Sequence, residues 1–243
     1  MTTTANPAER IIIALDYPDV QGAERLLDQL EGIPCYMKVG MELFYAAGPQ
    51  FVLRLKEAGY RVFLDLKLHD IPNTVKGGSA SVARLGVDMF NVHAAGGRAM
   101  MEAAREGVDQ ALSGSPGAQK PLLIGVTQLT STSRQMLNEE IGIDGPVEDA
   151  VLRYASLAKR AGLDGVVASP LEVVRIKGQC GASFATVTPG IRPAGSAVGD
   201  QSRIMTPREA IEQGTDYIVI GRPITAAADP RQALEQIVES ITA

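Results

Sequence analysis

Short apolar runs recur eight times along this chain, at residues 11–16, 35–39, 62–66, 89–93, 122–127, 165–168, 184–188 and 217–220. Between them lie stretches whose apolar residues repeat with helical spacing, among them 20–30, 49–58, 74–85, 100–112, 147–161 and 230–241. Such alternation predicts parallel strands joined by crossover helices, because a parallel neighbour is reached only by a connection that returns along the sheet. Eight strands in 243 residues match the closed (β/α)8 TIM barrel of the α/β class. An open doubly wound sheet shows the same alternation, and spacing alone does not separate the two.

Three junctions share a pattern. Gly86-Val87-Asp88, Gly162-Leu163-Asp164 and Gly214-Thr215-Asp216 each close a helical stretch and precede an apolar run. Glycine just past a helix takes the left-handed conformation that stops it, and the strand then begins. The three aspartates therefore belong to the N-terminal ends of the strands, where a barrel carries stability rather than catalysis. We read them as structural. The loop-like segments 113–117 and 193–199 are too short to separate domains. One domain over 1–243 is expected, with residues 1–10 as a loosely packed N-terminal segment.

Composition narrows the classes of partner. The net charge is −5, and an acidic balance argues against nucleic acid and anionic membrane, whose phosphates it would not neutralise. A small anionic substrate remains compatible, since a few local cations outweigh the global charge. Cys35 and Cys180 lie far apart, and His69 and His93 are the only histidines, so neither a zinc site nor a disulfide framework is expected. The thiols are read as inert in a reducing compartment, and the methionines as core filler. The first ten residues are polar and unlike a signal peptide, and no apolar run approaches the ~18 residues of a membrane span. A cytoplasmic protein is expected.

In a parallel barrel, chemistry gathers at the C-terminal ends of the strands. Here those ends are polar: Asp16, Lys38, Asp65 with Lys67, Asn91 with His93, Thr127 with Gln128, Ser169, Thr188, and Gly221 with Arg222. The densest segment is 63–74. Asp65 and Lys67 are two apart, so a strand turns them to one face and Leu64, Leu66 and Leu68 to the other. Burying such a pair is costly unless it is well satisfied. It is either a catalytic pair or an ion pair that closes the barrel interior. His93 is read as a packed residue at the fourth strand's mouth rather than a general base. Gly221-Arg222 suits a phosphate, because glycine admits backbone N–H groups and the guanidinium adds a fork of donors. Arg192, after the seventh strand, is placed to reach the same anion, since the loops after strands seven and eight are the usual phosphate site.

Asp65-x-Lys67-x-x-Asp70-Ile71-Pro72-Asn73-Thr74 resembles the signature of the orotidine 5'-phosphate decarboxylase family. Further blocks resemble that family in its own order: Ile13-Ala14-Leu15-Asp16, Met37-Lys38-Val39-Gly40, Asn91-Val92-His93-Ala94-Ala95-Gly96-Gly97, Val126-Thr127-Gln128-Leu129-Thr130-Ser131, Val187-Thr188-Pro189-Gly190-Ile191-Arg192-Pro193 and Ile220-Gly221-Arg222-Pro223-Ile224. The resemblance implies that Lys67 protonates C6 of the pyrimidine as carbon dioxide leaves, with Asp65 against the departing carboxylate. It implies an alternating array of Lys38, Asp65, Lys67 and Asp70, with Asp70 and Thr74 supplied by the neighbouring subunit of a homodimer. It also implies that Asp16 and Lys38 hold the ribose hydroxyls and Thr130 the pyrimidine edge. Gln201 would bridge phosphate and base from a closing loop, and Pro189, Arg192, Gly221 and Arg222 would complete the substrate site. No cofactor and no metal are implied. Two other readings stand beside this one. One is a metal-assisted sugar-acid phosphate decarboxylase or sugar-phosphate isomerase on the same barrel, and the other is a non-catalytic nucleotide-binding barrel.

Overall fold

The computed structural model describes residues 6–115, 117–193 and 205–242. Its strands are β1 (Ile11–Ala14), β2 (Tyr36–Gly40), β3 (Arg61–Leu68), β4 (Met89–His93), β5 (Leu122–Val126), β6 (Gly165–Val167), β7 (Ala185–Thr188) and β8 (Tyr217–Ile220). They pair in sequence order, all parallel, and β8 returns to β1 through Ile11↔Ile218 and Ile13↔Ile220. Closure decides against the open doubly wound sheet. All eight apolar runs become strands.

The helices are α1 (Val20–Leu30), α2 (Met41–Glu57), α3 (Pro72–Arg84), α4 (Gly97–Leu112), α5 (Val147–Arg160), α6 (Val173–Cys180), α7 (Pro207–Glu212), α8 (Arg222–Thr225) and α9 (Pro230–Thr242). Helix α2 is two helical pieces joined at Gly48, whose φ of 70° breaks the spiral before Pro49 restarts it. Only the second piece carries a periodicity long enough to be expected from sequence. The eight-residue α6 and six-residue α7 escape the same test, because so few turns show no clear repeat.

Alternation along the strands divides the core in two. Ile12, Tyr36, Phe63, Met89, Ile124 and Val187 face the barrel interior and touch one another. Ile11, Ile13, Met37, Val39, Val62, Leu64 and Phe90 face outward and pack against the helices. Lys38, Asp65 and Asn91 each stand two residues beyond an interior residue, so the same alternation turns them into the barrel's C-terminal mouth. Met37, Met89, Met100 and Met101 are buried as core filler, whereas Met41 and Met136 are exposed. Both cysteines are buried, and burial pushes the Cys35 thiol up to about 12.

The N-terminal segment departs from expectation. Residues Pro7–Arg10 form a 3-10 turn that packs on the barrel's N-terminal end. Ala8 is buried, Glu9 pairs with Arg61 at 3.1 Å, and the Arg10 guanidinium donates to the carbonyls of Thr215 and Asp216. Nothing in the apolar pattern announces this, because the anchoring contacts are polar.

The three Gly-x-Asp junctions are one device used three times. Gly86, Gly162 and Gly214 have φ of 71°, 80° and 91°. Asp88, Asp164 and Asp216 then accept the N–H of Val62, Leu123 and Thr186 respectively, each at 2.7 Å, and so bind the start of a neighbouring strand. Lys56, Arg105 and Lys177 from the surrounding helices neutralise them. All this lies on the face opposite the mouth.

Candidate active site

Strand β3 is the longest, and it does not run straight into the mouth. Its pairing with β4 passes from Leu64↔Phe90 to Leu68↔Val92, so Asp65, Leu66 and Lys67 bulge from the ladder where β4 advances by only one intervening residue. Lys67 adopts φ 53°, the only positive value at a non-glycine among the described residues. A Cβ atom disfavours that conformation, and such backbone is concentrated where function requires it.

Around this bulge the charges form a chain. The Lys67 ammonium donates to Asp65 Oδ1 at 2.7 Å. Lys38 Nζ lies 3.4 Å from Asp65 Oδ2 and 3.1 Å from Asp16 Oδ1. Asn91 Nδ2 also donates to Asp65 Oδ1, at 2.7 Å. Asp65 therefore sits between two ammonium groups and an amide. Burial opposes its charge, but Lys38 and Lys67 outweigh burial and hold the carboxyl below its ordinary range. Lys38 shows the converse: burial works against its ammonium, yet Asp65 and Asp16 prevail and raise its pKa.

The structure thus brings Asp16, Lys38, Asp65 and Lys67 together. It leaves Asp70 apart. That residue is exposed just beyond β3, and its carboxylate accepts the N–H of Ile71 at 2.7 Å. Thr74 is exposed in the first turn of α3. Where β3 and β4 end, the His69 and His93 rings lie 5.3 Å apart. His93 is half-buried, and burial, with His69 and Lys67 adding to it, pushes its pKa down, so it is neutral and packed.

Thr130 is partly buried in the loop beyond β5, and Pro189 follows the end of β7. Arg192 is buried, with its guanidinium donating to the Ile191 carbonyl at 2.9 Å. Ile191 and Met205 form a parallel bridge that ties the two sides of the β7–α7 connection together. Gln201 lies outside the described residues. Gly221 follows β8 with φ −111° and ψ −109°, and its carbonyl accepts the N–H groups of Ile224 and Thr225. The short helix therefore begins at Arg222, and the exposed Arg222 stands at its first turn. In the sequence Asn91 stands out only as a polar strand end with no assigned role. Its interior parity with Met89 was the available signal.

Residues 9–237 match the Orotidine 5'-phosphate decarboxylase / HUMPS family. The chain is 56% identical over 227 residues to the orotidine 5'-phosphate decarboxylase of Geobacillus thermodenitrificans, covering 93% of this chain and 94% of that one. It is 58% identical over 220 residues to that of Geobacillus kaustophilus, with 90% and 89% covered. Among solved structures, orotidine 5'-phosphate decarboxylase from Lactobacillus acidophilus superposes with a TM-score of 0.86 at 43% identity, over 97% of this chain and 100% of that one. An uncharacterized conserved protein from Geobacillus kaustophilus gives 0.84 at 50% identity, over 95% and 99%. With the match spanning nearly the whole barrel, the chain belongs to the orotidine 5'-phosphate decarboxylase / HUMPS family.

Proposed function

We propose that this protein is a carboxy-lyase that converts orotidine 5'-phosphate to uridine 5'-phosphate and carbon dioxide, a step of pyrimidine biosynthesis in the cytoplasm. The observation that carries this reading is the ion chain at the mouth, with the Lys67 ammonium held 2.7 Å from the Asp65 carboxylate. The C6–carboxylate bond breaks, carbon dioxide leaves, and the electron pair stays on C6. That pair lies in the ring plane and is not delocalised, so it needs a fixed positive charge beside it. The Lys67 ammonium supplies the charge and then its proton to C6, and solvent restores the proton. Asp65 orients the ammonium and faces the departing carboxylate.

Asp16 and Lys38 take the ribose hydroxyls, Thr130 the pyrimidine edge, Arg192, Gly221 and Arg222 the phosphate, and Gln201 bridges phosphate and base, with Pro189 completing the substrate site. Asp70 and Thr74 act in the neighbouring subunit of a homodimer. Their exposure supports this, as do exposed apolar side chains at the same end of the barrel. Met41, Tyr45, Ile71, Leu129 and Met136 are exposed apolar side chains that follow the C-terminal ends of β2, β3 or β5. Among the described residues no helix is long and apolar enough to cross a membrane.

The metal-assisted alternative is disfavoured by the partners of Asp65. Oδ1 already accepts from Lys67 and Asn91, and Oδ2 faces the Lys38 ammonium, so a metal ion approaching the carboxylate would meet two ammonium charges. The test is Lys67→Ala, followed by the loss of orotate ultraviolet absorption with and without EDTA. Turnover should vanish in the variant while uridine 5'-phosphate still binds, and the unaltered protein should be indifferent to EDTA. A variant that turns over at the unaltered rate would refute the assignment.

A further inference from the structure

Asn91 is the single β4 residue opposite the bulge of β3, between the paired positions Phe90 and Val92. It is 1% exposed, so its amide has no recourse to water. Oδ1 accepts the backbone N–H of Lys67 at 2.8 Å, and Nδ2 donates to Asp65 Oδ1 at 2.7 Å. Asp65 Oδ1 in turn receives the Lys67 ammonium. The two ends of Lys67, its backbone nitrogen and its side-chain nitrogen, are thereby joined in one hydrogen-bonded ring through Asn91 and Asp65. The amide's orientation is not arbitrary: a backbone N–H only donates and a carboxylate only accepts, so oxygen must face Lys67 and nitrogen Asp65.

We infer that Asn91 is a positioning residue for decarboxylation, the clip that holds the β3 bulge and so presents the Lys67 ammonium and the Asp65 carboxylate together at the mouth. The inference rests on the reading of Lys67 as proton donor. Bulging Asp65–Lys67 out of the ladder removes the β4 partner that a regular strand would have given the Lys67 N–H, and it forces left-handed backbone on a residue with a long side chain. Something must satisfy that N–H and fix that turn. A short planar side chain with one acceptor and one donor does both at once. Aspartate keeps the acceptor and loses the donor, and alanine loses both. Asn91 touches no reacting atom in this scheme. It acts through the two residues that do.

Three variants test it: Asn91→Ala, Asn91→Asp and, as reference, Lys67→Ala. The measurements are steady-state turnover of orotidine 5'-phosphate from pH 5 to 8, affinity for uridine 5'-phosphate, and thermal melting. Asn91→Ala should lose about 100-fold in kcat, the scale expected for a slight misplacement of reacting groups. Its KM and product affinity should stay within about three-fold, since substrate binding is left in place. Asn91→Asp should be similarly slow at pH 8 and recover relative to the unaltered protein as pH falls. Protonation of the new carboxyl, favoured by its contact with Asp65, restores a donor to that residue. Asn91→Ala has nothing to protonate there and should show no such recovery. If Asn91→Ala does not melt cooperatively, the pH profile of Asn91→Asp decides. A folded Asn91→Ala with kcat within about three-fold of the unaltered protein would overturn the inference. So would an Asn91→Asp profile parallel to it. Full activity in Lys67→Ala would instead overturn the underlying reading of Lys67, so the two failures are distinct.

Discussion

Replacing Asp65 by alanine should destabilise the protein measurably, quite apart from its effect on catalysis. The side chain is only 13% exposed, accepts from Lys67 and Asn91, and lies 3.4 Å from the Lys38 ammonium. Removing one partner of a buried ion pair costs about 3–5 kcal/mol, because the other charge stays behind uncompensated. Here the lower end applies. Lys38 keeps Asp16 at 3.1 Å, and the Lys67 side chain is 26% exposed, so water reaches it. A loss of about 3 kcal/mol in a chain of this length corresponds to a fall in Tm of roughly 6–12 °C. Differential scanning calorimetry at pH 7 measures it. The double variant Asp65→Ala/Lys67→Ala removes the stranded cation as well and should melt above the single variant, with a coupling of about 1 kcal/mol or more. The pH dependence has a definite sign. The folded carboxyl of Asp65 titrates below its unfolded value, burial notwithstanding, because Lys38 and Lys67 hold the proton off. Its stabilisation is therefore complete above the unfolded value of about 4 and is lost as pH falls through the lower folded value. The gap in stability between the unaltered protein and Asp65→Ala should be constant from pH 7 to about 5 and close in acid. An unchanged or raised Tm in Asp65→Ala, or a double variant less stable than the sum of the singles, would refute the reasoning.

Two further outcomes follow from the geometry at the ends of the barrel. Arg222→Ala should weaken binding of uridine 5'-phosphate and also lower kcat, since binding energy at a remote phosphate can be spent on the chemical step; a change in affinity alone in the same kinetic assay would count against that coupling. Asp164→Ala should strip the buried Leu123 N–H of its acceptor and leave the Arg105 guanidinium only the Gly162 carbonyl, and cost about 2 kcal/mol, a Tm loss of roughly 4–8 °C, while kcat and KM stay unchanged because the staple lies on the opposite face. A kinetic defect in that variant at a temperature where it is fully folded would show that the two faces are coupled.

Much of the barrel could be read before folding. Ile11 to Ala14 or Leu122 to Val126 are runs that find shelter only inside a sheet covered by helices, and Gly86, Gly162 and Gly214 mark the places where a helix must stop. The meeting of Lys38, Asp65 and Lys67 was foreseeable because charged side chains at strand ends are expensive unless they meet one another. Less was legible where contacts are polar or elements short. The anchoring of Pro7–Arg10 depends on Thr215 and Asp216, more than two hundred residues away, and α6 and α7 are too brief for periodicity to show.

By itself, then, the order of residues determined the eight strands, their polar C-terminal ends and the pairing of an acid with an amine two positions on, because hydrophobic alternation and local backbone preference act over a few neighbours. Tertiary structure alone decided that the sheet closes, that β3 bulges by skipping register against β4, and that Asn91 secures both ends of Lys67. Those outcomes turn on which strand lies beside which and where an unpaired N–H finds its acceptor, and both depend on chain segments brought together only when the barrel is complete.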